Sequence, residues 1–425
     1  MPRAAALDLL DSVLAGKRPL DEALDTHPRL DRLDARDRAF ARMLAATTLR
    51  RLGQIDDLLD RCLEKPLTGK ARPALDLLRL GTCQLVFLGT PPHAAVSTAV
   101  DLAEARRLGP YKKLVNAVLR RIAREGAAMA ATQDAARLTT PDWLWQSWSK
   151  TYGEATCRAI AEAHLKEAPL DLTVKNDPVG WAATLGATLL PTGSLRLAEG
   201  RGTIQDLPGF GEGAWWVQDA AAALPARLLG PVDGKRVLDL CAAPGGKTAQ
   251  LAAAGARVTA VDRSTKRLHR LTGNLMRLGL SAATVAADAA TWRPTTPADA
   301  ALVDAPCSAT GTIRRHPDIP RLKGPDDVAA MATLQVRLLT AAVDMVRPGG
   351  ILVYCVCSLQ PEEGPAVVRK VLESGVPVEP VPILAAEVGG LDQLLDREGR
   401  LRTLPCHLPG AGGLDGFFIA RLRRR

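Results

Sequence analysis

Residues 235–425 carry the pattern that most narrows the fold. Short β-branched runs alternate with helical stretches: strands are expected over 236–240, 257–262, 283–287, 300–304 and 350–355, and helices over 247–254, 264–278, 328–346 and 362–373. This alternation predicts a largely parallel sheet with crossover helices, because parallel neighbours need a connection long enough to return along the sheet. In such sheets ligands sit at the carboxyl ends of the strands, and the unusual residues of this chain fall there.

The first 127 or so residues read differently. Leu9, Leu10, Val13 and Leu14 fall at helical spacing, as do Phe40, Met43 and Leu44, and then Ile55, Leu58, Leu59 and Leu63. Nothing there alternates like a strand, so residues 1–127 are expected to form an all-helical bundle. Residues 128–230 are transitional. Positions 127–132 have linker composition, 141–164 reads as helical with Trp143, Trp145 and Trp148, 170–174 reads as a strand, and short runs continue to Ile204. The three tryptophans fit helix packing or a platform for stacked bases, packing being the commoner use. The expected division is a helical domain (1–127), a small α+β connecting subdomain (128–230) and a Rossmann-like core (231–425).

At 47% hydrophobic and 24% charged residues, the 425-residue chain has the composition of a globular protein of two to four domains. Its net charge of +9 is unevenly placed: +6 on residues 1–130, −3 on 131–230 and +6 on 231–425. Basic ends suit a polyanionic partner. The densest cluster is Arg106, Arg107, Lys112, Lys113, Arg120, Arg121 and Arg124, which is either a solvated helix face or a set of phosphate contacts. The longest apolar candidate for a membrane span, residues 80–100, is broken by Gly, Thr, Gln, Pro, His and Ser, and the N-terminal apolar stretch holds Asp8 and Asp11. Neither a span nor a secretory leader is therefore expected. Eight cysteines without a C-x-x-C pair are too sparse for a disulfide scaffold and offer no zinc site. The expectation is a cytoplasmic protein without a metal, some of whose thiols are free to react.

The first strand of the core runs into Asp239-Leu240-Cys241-Ala242-Ala243-Pro244-Gly245-Gly246-Lys247-Thr248. A phosphate-binding P-loop would need glycine where Cys241 stands, and a dinucleotide fingerprint would need G-x-G-x-x-G where only Gly245 and Gly246 occur. The loop of a Rossmann-like methyltransferase needs only small residues that let the backbone approach the methionine end of S-adenosylmethionine. Acids at three successive strand ends favour such a nucleoside cofactor. Asp262 is placed for ribose hydroxyls, Asp288 for the adenine amino group, and Asp304 ends the next strand. Any one of them alone would be an ordinary cap or turn residue.

Two later strands each end in a Cys-Ser pair, Cys307-Ser308 and Cys357-Ser358. Buried free cysteine is a common small hydrophobe, and Cys62, Cys83, Cys157 and Cys355 are expected to be of that kind. Cys307 and Cys357 instead leave strands into polar loops beside the expected cofactor. A thiolate there has a use: adding to carbon 6 of a pyrimidine makes carbon 5 nucleophilic toward a methyl sulfonium. Two thiols suit two tasks, attack and release.

The cofactor loop, together with Asp304-Ala305-Pro306-Cys307-Ser308, Arg314-Arg315-His316-Pro317-Asp318, Cys357-Ser358 with Glu362-Glu363, and Asp415-Gly416-Phe417-Phe418, resembles the RNA 5-methylcytosine methyltransferases of the Sun or nucleolar-protein family. Residues 1–127 resemble the NusB-like RNA-binding domain through Asp37-Arg38-Ala39-Phe40, Pro92-His93-Ala94-Ala95-Val96 and the 113–121 segment. The fusion of the two is similar to methyltransferases of small-subunit (16S) ribosomal RNA. The resemblance implies an S-adenosylmethionine methyltransferase core behind an all-α NusB-like domain. It implies Cys357 as nucleophile and Cys307 in product release. It also implies cofactor contacts from Cys241, Ala242, Ala243, Pro244, Gly245, Gly246, Lys247, Asp262, Asp288 and Asp304, with Asp304 serving cofactor or base. The implied partner is small-subunit ribosomal RNA before full assembly, with transfer RNA the alternative, and the chain is expected to act as a monomer. Val356 and Gly364 depart from residues the family often has at those positions. Trp215 to Asp219 resembles a Gln-Asp segment that either closes the cofactor pocket or packs. Arg314 and His316 either reach phosphate or form a turn.

Overall fold

A computed structural model of the chain describes residues 2–198 and 203–425. It forms two compact units, Met1–Glu167 with Ile313–Gly324, and Ala168–Thr312 with Pro325–Arg425. Residues 199–202, within the alternating stretch expected up to Ile204, lie outside the described residues.

The first unit is helical. Helices Pro2–Leu14, Ala35–Arg50, Leu52–Asp60, Arg72–Val86, Pro92–Ala105 and Lys112–Ala131 enclose Leu9, Leu10, Leu44, Ile55, Leu58, Leu59 and Leu77. The Asp34 carboxylate accepts from the Asp37 amide and so starts helix Ala35–Arg50. Gly81 allows a close helix crossing, since a Cβ there would lie 2.6 Å from the Leu119 methyls. Helix Lys112–Ala131 runs on through the stretch expected as a linker. The helix expected over 141–164 is two, Asp142–Tyr152 and Glu154–His164, parted at Gly153 with φ +83°. Two of the three tryptophans there have packing partners: Trp148 is buried against His164, and Trp145 lies near the guanidinium groups of Arg137 and Arg158.

Segment Ile313–Gly324 belongs to this helical unit. Arg314 is buried and its carbonyl accepts from Arg50, His316 pairs with Asp21 at 3.3 Å, and the Asp318 carboxylate accepts from the Leu20 amide at 2.9 Å. Of the two readings of Arg314 and His316, these contacts are those of the turn.

The second unit holds two sheets. Strands β1 (Asp171–Val174), β2 (Thr188–Leu189), β3 (Leu195–Arg196) and β4 (Trp215–Val217) form an antiparallel sheet in the order β2-β3-β1-β4. A buried bidentate pair between Arg196 and Asp171, 2.6 and 2.7 Å, ties its centre. The larger sheet contains β5 (Arg236–Leu240), β6 (Arg257–Asp262), β7 (Ala283–Ala286), β8 (Ala298–Asp304), β9 (Val346–Val356), β10 (Val378–Pro380), β11 (Leu401–Thr403) and β12 (Phe417–Arg424). Its order is β10-β12-β9-β8-β5-β6-β7, with β11 paired to β12. The five strands β5 to β9 are parallel, and β12 adds antiparallel to β9. The chain starts at the centre, steps outward through β6 and β7, then returns past β5 to β8. Order reverses beside β5, the place where sheets of this kind leave a ligand crevice at the carboxyl ends of the strands.

Helix Pro325–Met345 packs on β8 and β9 and buries Leu338, Leu339, Ala342 and Val343. By length and composition it is the helix apolar enough to cross a membrane among the described residues, in place of residues 80–100, and half of it is buried in this unit.

Candidate active site

The loop after β5 is shaped by backbone geometry. Cys241 has φ +63° and Gly245 φ +104°, and the Ala243–Pro244 peptide is cis. A Cβ on Gly245 would lie 2.7 Å from Leu271 Cγ, so glycine is required by both conformation and space. The Ala242 amide bonds the Val261 carbonyl at 3.0 Å, pinning the loop to β6. Helix Gly246–Ala253 starts directly behind it. Arg267 donates to the Ala243 carbonyl and Asn274 to that of Pro244.

The acids of the strand ends take different surroundings. Asp239, inside β5, is fully buried and accepts from Thr248 Oγ1 at 2.5 Å; burial pushes its carboxyl up to about 7. Asp262, at the end of β6, is buried and accepts from the amides of Ala243 (3.2 Å) and Ser264 (2.9 Å), with Arg267 3.3 Å away. Asp288, after β7, is exposed and accepts from the Ala290 amide in a turn. Asp304, at the end of β8, accepts from Lys247 Nζ at 2.8 Å and from the Cys355 thiol at 3.3 Å. Burial disfavours charge on Lys247, but Asp304 more than offsets this and raises its pKa, so the ion pair is kept. Burial pushes the Cys241 thiol up to about 12, with Asp304 and Asp262 adding to the effect.

Cys307 and Cys357 meet. They follow adjacent parallel strands, β8 and β9, and their sulfurs lie 3.4 Å apart. Both are half-buried. The hydrogen bond to Cys357 and burial hold the Cys307 thiol well above its ordinary pKa. The Gly311 amide caps the Cys357 carbonyl at 3.0 Å. Cys83, Cys157 and Cys355 are buried, whereas Cys62 is half-buried rather than enclosed.

Beneath the two thiols lies a network that no reading of single motifs exposes. Glu363 accepts from the hydroxyls of Ser308 and Ser358, both at 2.5 Å, and from the Ser308 amide at 2.7 Å. Gln335 donates to it at 3.2 Å, and Tyr354 donates to its carbonyl at 2.5 Å. The available signal was the repeated Cys-Ser pair followed by Glu363 five residues after Ser358. Gln218 of the Gln-Asp segment lies 3.5 Å from the place of a Cβ on Gly246, but its amide is held by Trp216 and Gln250, and Asp219 accepts from the amides of Ala221 and Asp415. Both residues therefore pack.

On the helical unit, four of the seven clustered cations are paired: Arg106 with Asp8, Lys112 with Glu104, and Arg121 and Arg124 with Glu125. Arg107, Lys113 and Arg120 are exposed without a carboxylate partner among the described residues. A groove of about 600 Å³ lined by His93, Val96, Asn116, Arg120 and Arg124 opens beside them.

A parallel sheet that reverses order beside its first strand, with a small-residue loop and acids at that crevice, defines a Rossmann-like methyltransferase core. Residues 226–423 match the 16S rRNA methyltransferase RsmB/F family and residues 1–124 the NusB family. The chain is 39% identical to the ribosomal RNA small subunit methyltransferase B of Pseudomonas putida, over 99% of this chain and 98% of that one. It is 35% identical to the protein of the same name from Salmonella arizonae, over 100% and 98%. Among solved structures, PH0851 superposes with a TM-score of 0.76 at 23% identity, covering 100% of this chain and 99% of that one. A methyltransferase homolog from Pyrococcus horikoshii covers 66% and 94% at TM-score 0.55 and 29% identity. The chain belongs to the family of ribosomal RNA small subunit methyltransferase B.

Proposed function

We propose that this protein methylates carbon 5 of a cytosine in small-subunit ribosomal RNA through a covalent cysteine adduct, with S-adenosylmethionine as donor. The observation that carries this reading is the 3.4 Å approach of the Cys307 and Cys357 sulfurs at adjacent strand ends beside the Lys247–Asp304 pair. Carbon 5 of cytosine is a poor nucleophile. When the Cys357 thiolate bonds to carbon 6, the electron pair of the 5,6 double bond becomes available at carbon 5. When bound, the cofactor supplies an electrophilic methyl group.

The residues of the glycine loop fit that cofactor. Small side chains at 242, 243, 245 and 246 leave backbone accessible, and the Asp262 oxygens, each accepting an amide hydrogen, keep lone pairs for two ribose hydroxyls. Asp288 extends the line of acids toward adenine. Lys247 holds Asp304 between loop and thiols, where it can orient either reactant.

The pairing of thiols also orders the steps. While Cys357 is free, the two thiols share one hydrogen bond. Once Cys357 is bonded to carbon, that hydrogen bond no longer holds the Cys307 proton, which passes to solvent. The thiolate so formed can take the proton from carbon 5; the electron pair of that bond rebuilds the double bond and expels the Cys357 thiolate. The target base must be unpaired or flipped from its stack to reach this crevice, which suits RNA met before the subunit is complete.

Single replacements of the thiols test the reading with labelled cofactor and small-subunit RNA. Cys357→Ala is expected to abolish methylation and form no adduct. Cys307→Ala is expected to accumulate a protein–RNA complex that survives denaturing electrophoresis. Normal turnover by Cys357→Ala would overturn the mechanism. Bisulfite sequencing of a deletion strain is expected to show one lost site in 16S RNA, and a lost site in transfer RNA instead would overturn the substrate.

A further inference from the structure

We propose that Glu363 is a positioning residue that fixes the separation of the two thiols by clamping the Cys-Ser pairs of both strand ends to one carboxylate. The inference rests on the two-thiol reading above for its catalytic meaning, but its geometric content stands apart from it. Ser308 and Ser358 each follow a thiol directly in sequence, and each donates its hydroxyl to the same oxygen of Glu363 at 2.5 Å. The two hydroxyl oxygens are consequently 3.1 Å apart. Neither hydroxyl faces solvent, and Glu363 itself is 0% exposed.

The clamp is complete in hydrogen-bonding terms. One Glu363 oxygen takes both serine hydroxyls, and the other takes the Ser308 amide and the Gln335 side chain. Gln335 in turn donates to the Pro306 carbonyl at 2.8 Å, fixing the residue before Cys307. Among the described residues no basic side chain pairs with Glu363. A buried carboxylate without a cation costs free energy unless its acceptors are filled, and here four donors converge on it from the two cysteine loops and the helix behind them. Simple packing of two loops would not need a buried acid, since an apolar residue of similar volume would fill the space without that cost. What the acid adds is a single point to which both loops are drawn. Two groups that must address carbon 6 and the carbon 5 proton of one ring need such a fixed spacing, because an error of 1 Å costs much of the rate advantage of preorganisation.

The test reads thiol separation without catalysis. Hydrogen peroxide joins two adjacent thiols as a disulfide, the thiols losing two protons and two electrons and the peroxide becoming two waters. In the full-length protein, the Cys307–Cys357 crosslink is followed by mass spectrometry, alongside kcat, KM for RNA and binding of S-adenosylhomocysteine. Glu363→Ala is expected to slow crosslinking at least about tenfold and to lower kcat by about 10- to 100-fold, while KM and cofactor-product binding stay within twofold. Glu363→Gln retains volume and one acceptor, and the two serine hydroxyls can turn to accept from its amide, so it is expected to recover most of the crosslinking rate. Crosslinking and kcat both within twofold of the parent in Glu363→Ala would overturn the proposal. If Glu363→Ala loses its fold, as shown by lost binding of the cofactor product, Glu363→Asp decides: its shorter reach cannot hold both serines, so an unchanged crosslinking rate overturns the proposal. Failure of the two-thiol reading shows separately, as a Cys307→Ala variant that traps no adduct on RNA while the parent still crosslinks in a Glu363-dependent way.

Discussion

At the scale of a residue, Asp239 shows how the site weighs on stability. Its side chain is fully enclosed within β5; one oxygen accepts from Thr248 and the other has no hydrogen-bond partner among the described residues. Burial raises its pKa to about 7, Asp304 and Asp262 add to this, and Lys247 opposes it. A carboxyl whose folded pKa exceeds its unfolded value near 4 binds its proton more tightly in the folded state. Its ionisation therefore costs stability progressively as pH rises from about 4 to about 7, and the cost is constant above that. The size is up to about 4 kcal/mol, at 1.36 kcal/mol per pKa unit. Asp239→Asn keeps an acceptor for Thr248 and removes the titration. The variant is expected to melt several degrees above the parent at pH 8 and close to it at pH 4, measured by calorimetry. A melting difference that does not change between pH 4 and pH 8 would show that folding leaves the Asp239 pKa unshifted.

At the scale of an element, helix Lys112–Ala131 bears the basic side chains best suited to phosphate. Seven cations lie on it or just before it, and ion pairs leave Arg107, Lys113 and Arg120 without a carboxylate partner among the described residues. Exposed ion pairs contribute little to stability, so neutralising the free three should leave the fold intact. If they meet phosphate, the triple Ala variant is expected to weaken RNA binding. The slope of log K against log salt should then fall by about 0.7 to 0.9 for each lost contact. A salt series of filter-binding or anisotropy titrations measures it, and an unchanged slope would place the RNA elsewhere. Elements were legible in the sequence where local pattern decides. Arg236–Leu240 appears with the expected bounds because its apolar run ends at the glycine loop. Strand β9 begins at Val346 rather than 350 because Arg347, Pro348, Gly349 and Gly350 lack strand propensity and join β8 only through an irregular register. The break at Gly153 was hidden because flanking residues on both sides favour helix. The thiol pair was readable from motifs, but not its clamp, since Ser308 and Glu363 are 55 residues apart and only the sheet order brings them together.

At the scale of the whole molecule, the chain is not divided as its families are. The segment Ile313–Gly324 lies inside the methyltransferase match of residues 226–423 yet packs as part of the helical unit. No local pattern could show this, because the partners of Asp318 and His316 are Leu20 and Asp21, almost 300 residues earlier. The helical unit is therefore completed by a stretch translated long after its own helices, and its final stability depends on it. The Asp318 carboxylate is the contact to remove. Its loss leaves the buried Leu20 amide, at the start of helix Leu20–Thr26, without an acceptor, at a cost of about 1–3 kcal/mol. Asp318→Ala is expected to speed hydrogen exchange in helix Leu20–Thr26 by roughly tenfold or more, each 1.4 kcal/mol being a factor of ten. Exchange in β5 and β8 should be little changed. Asp318→Asn keeps an oxygen for the Leu20 amide and should restore most of the protection. A fragment of residues 1–167 should show the same loss in that helix, and protection there equal to the full chain would mean that the helical unit stands without the segment.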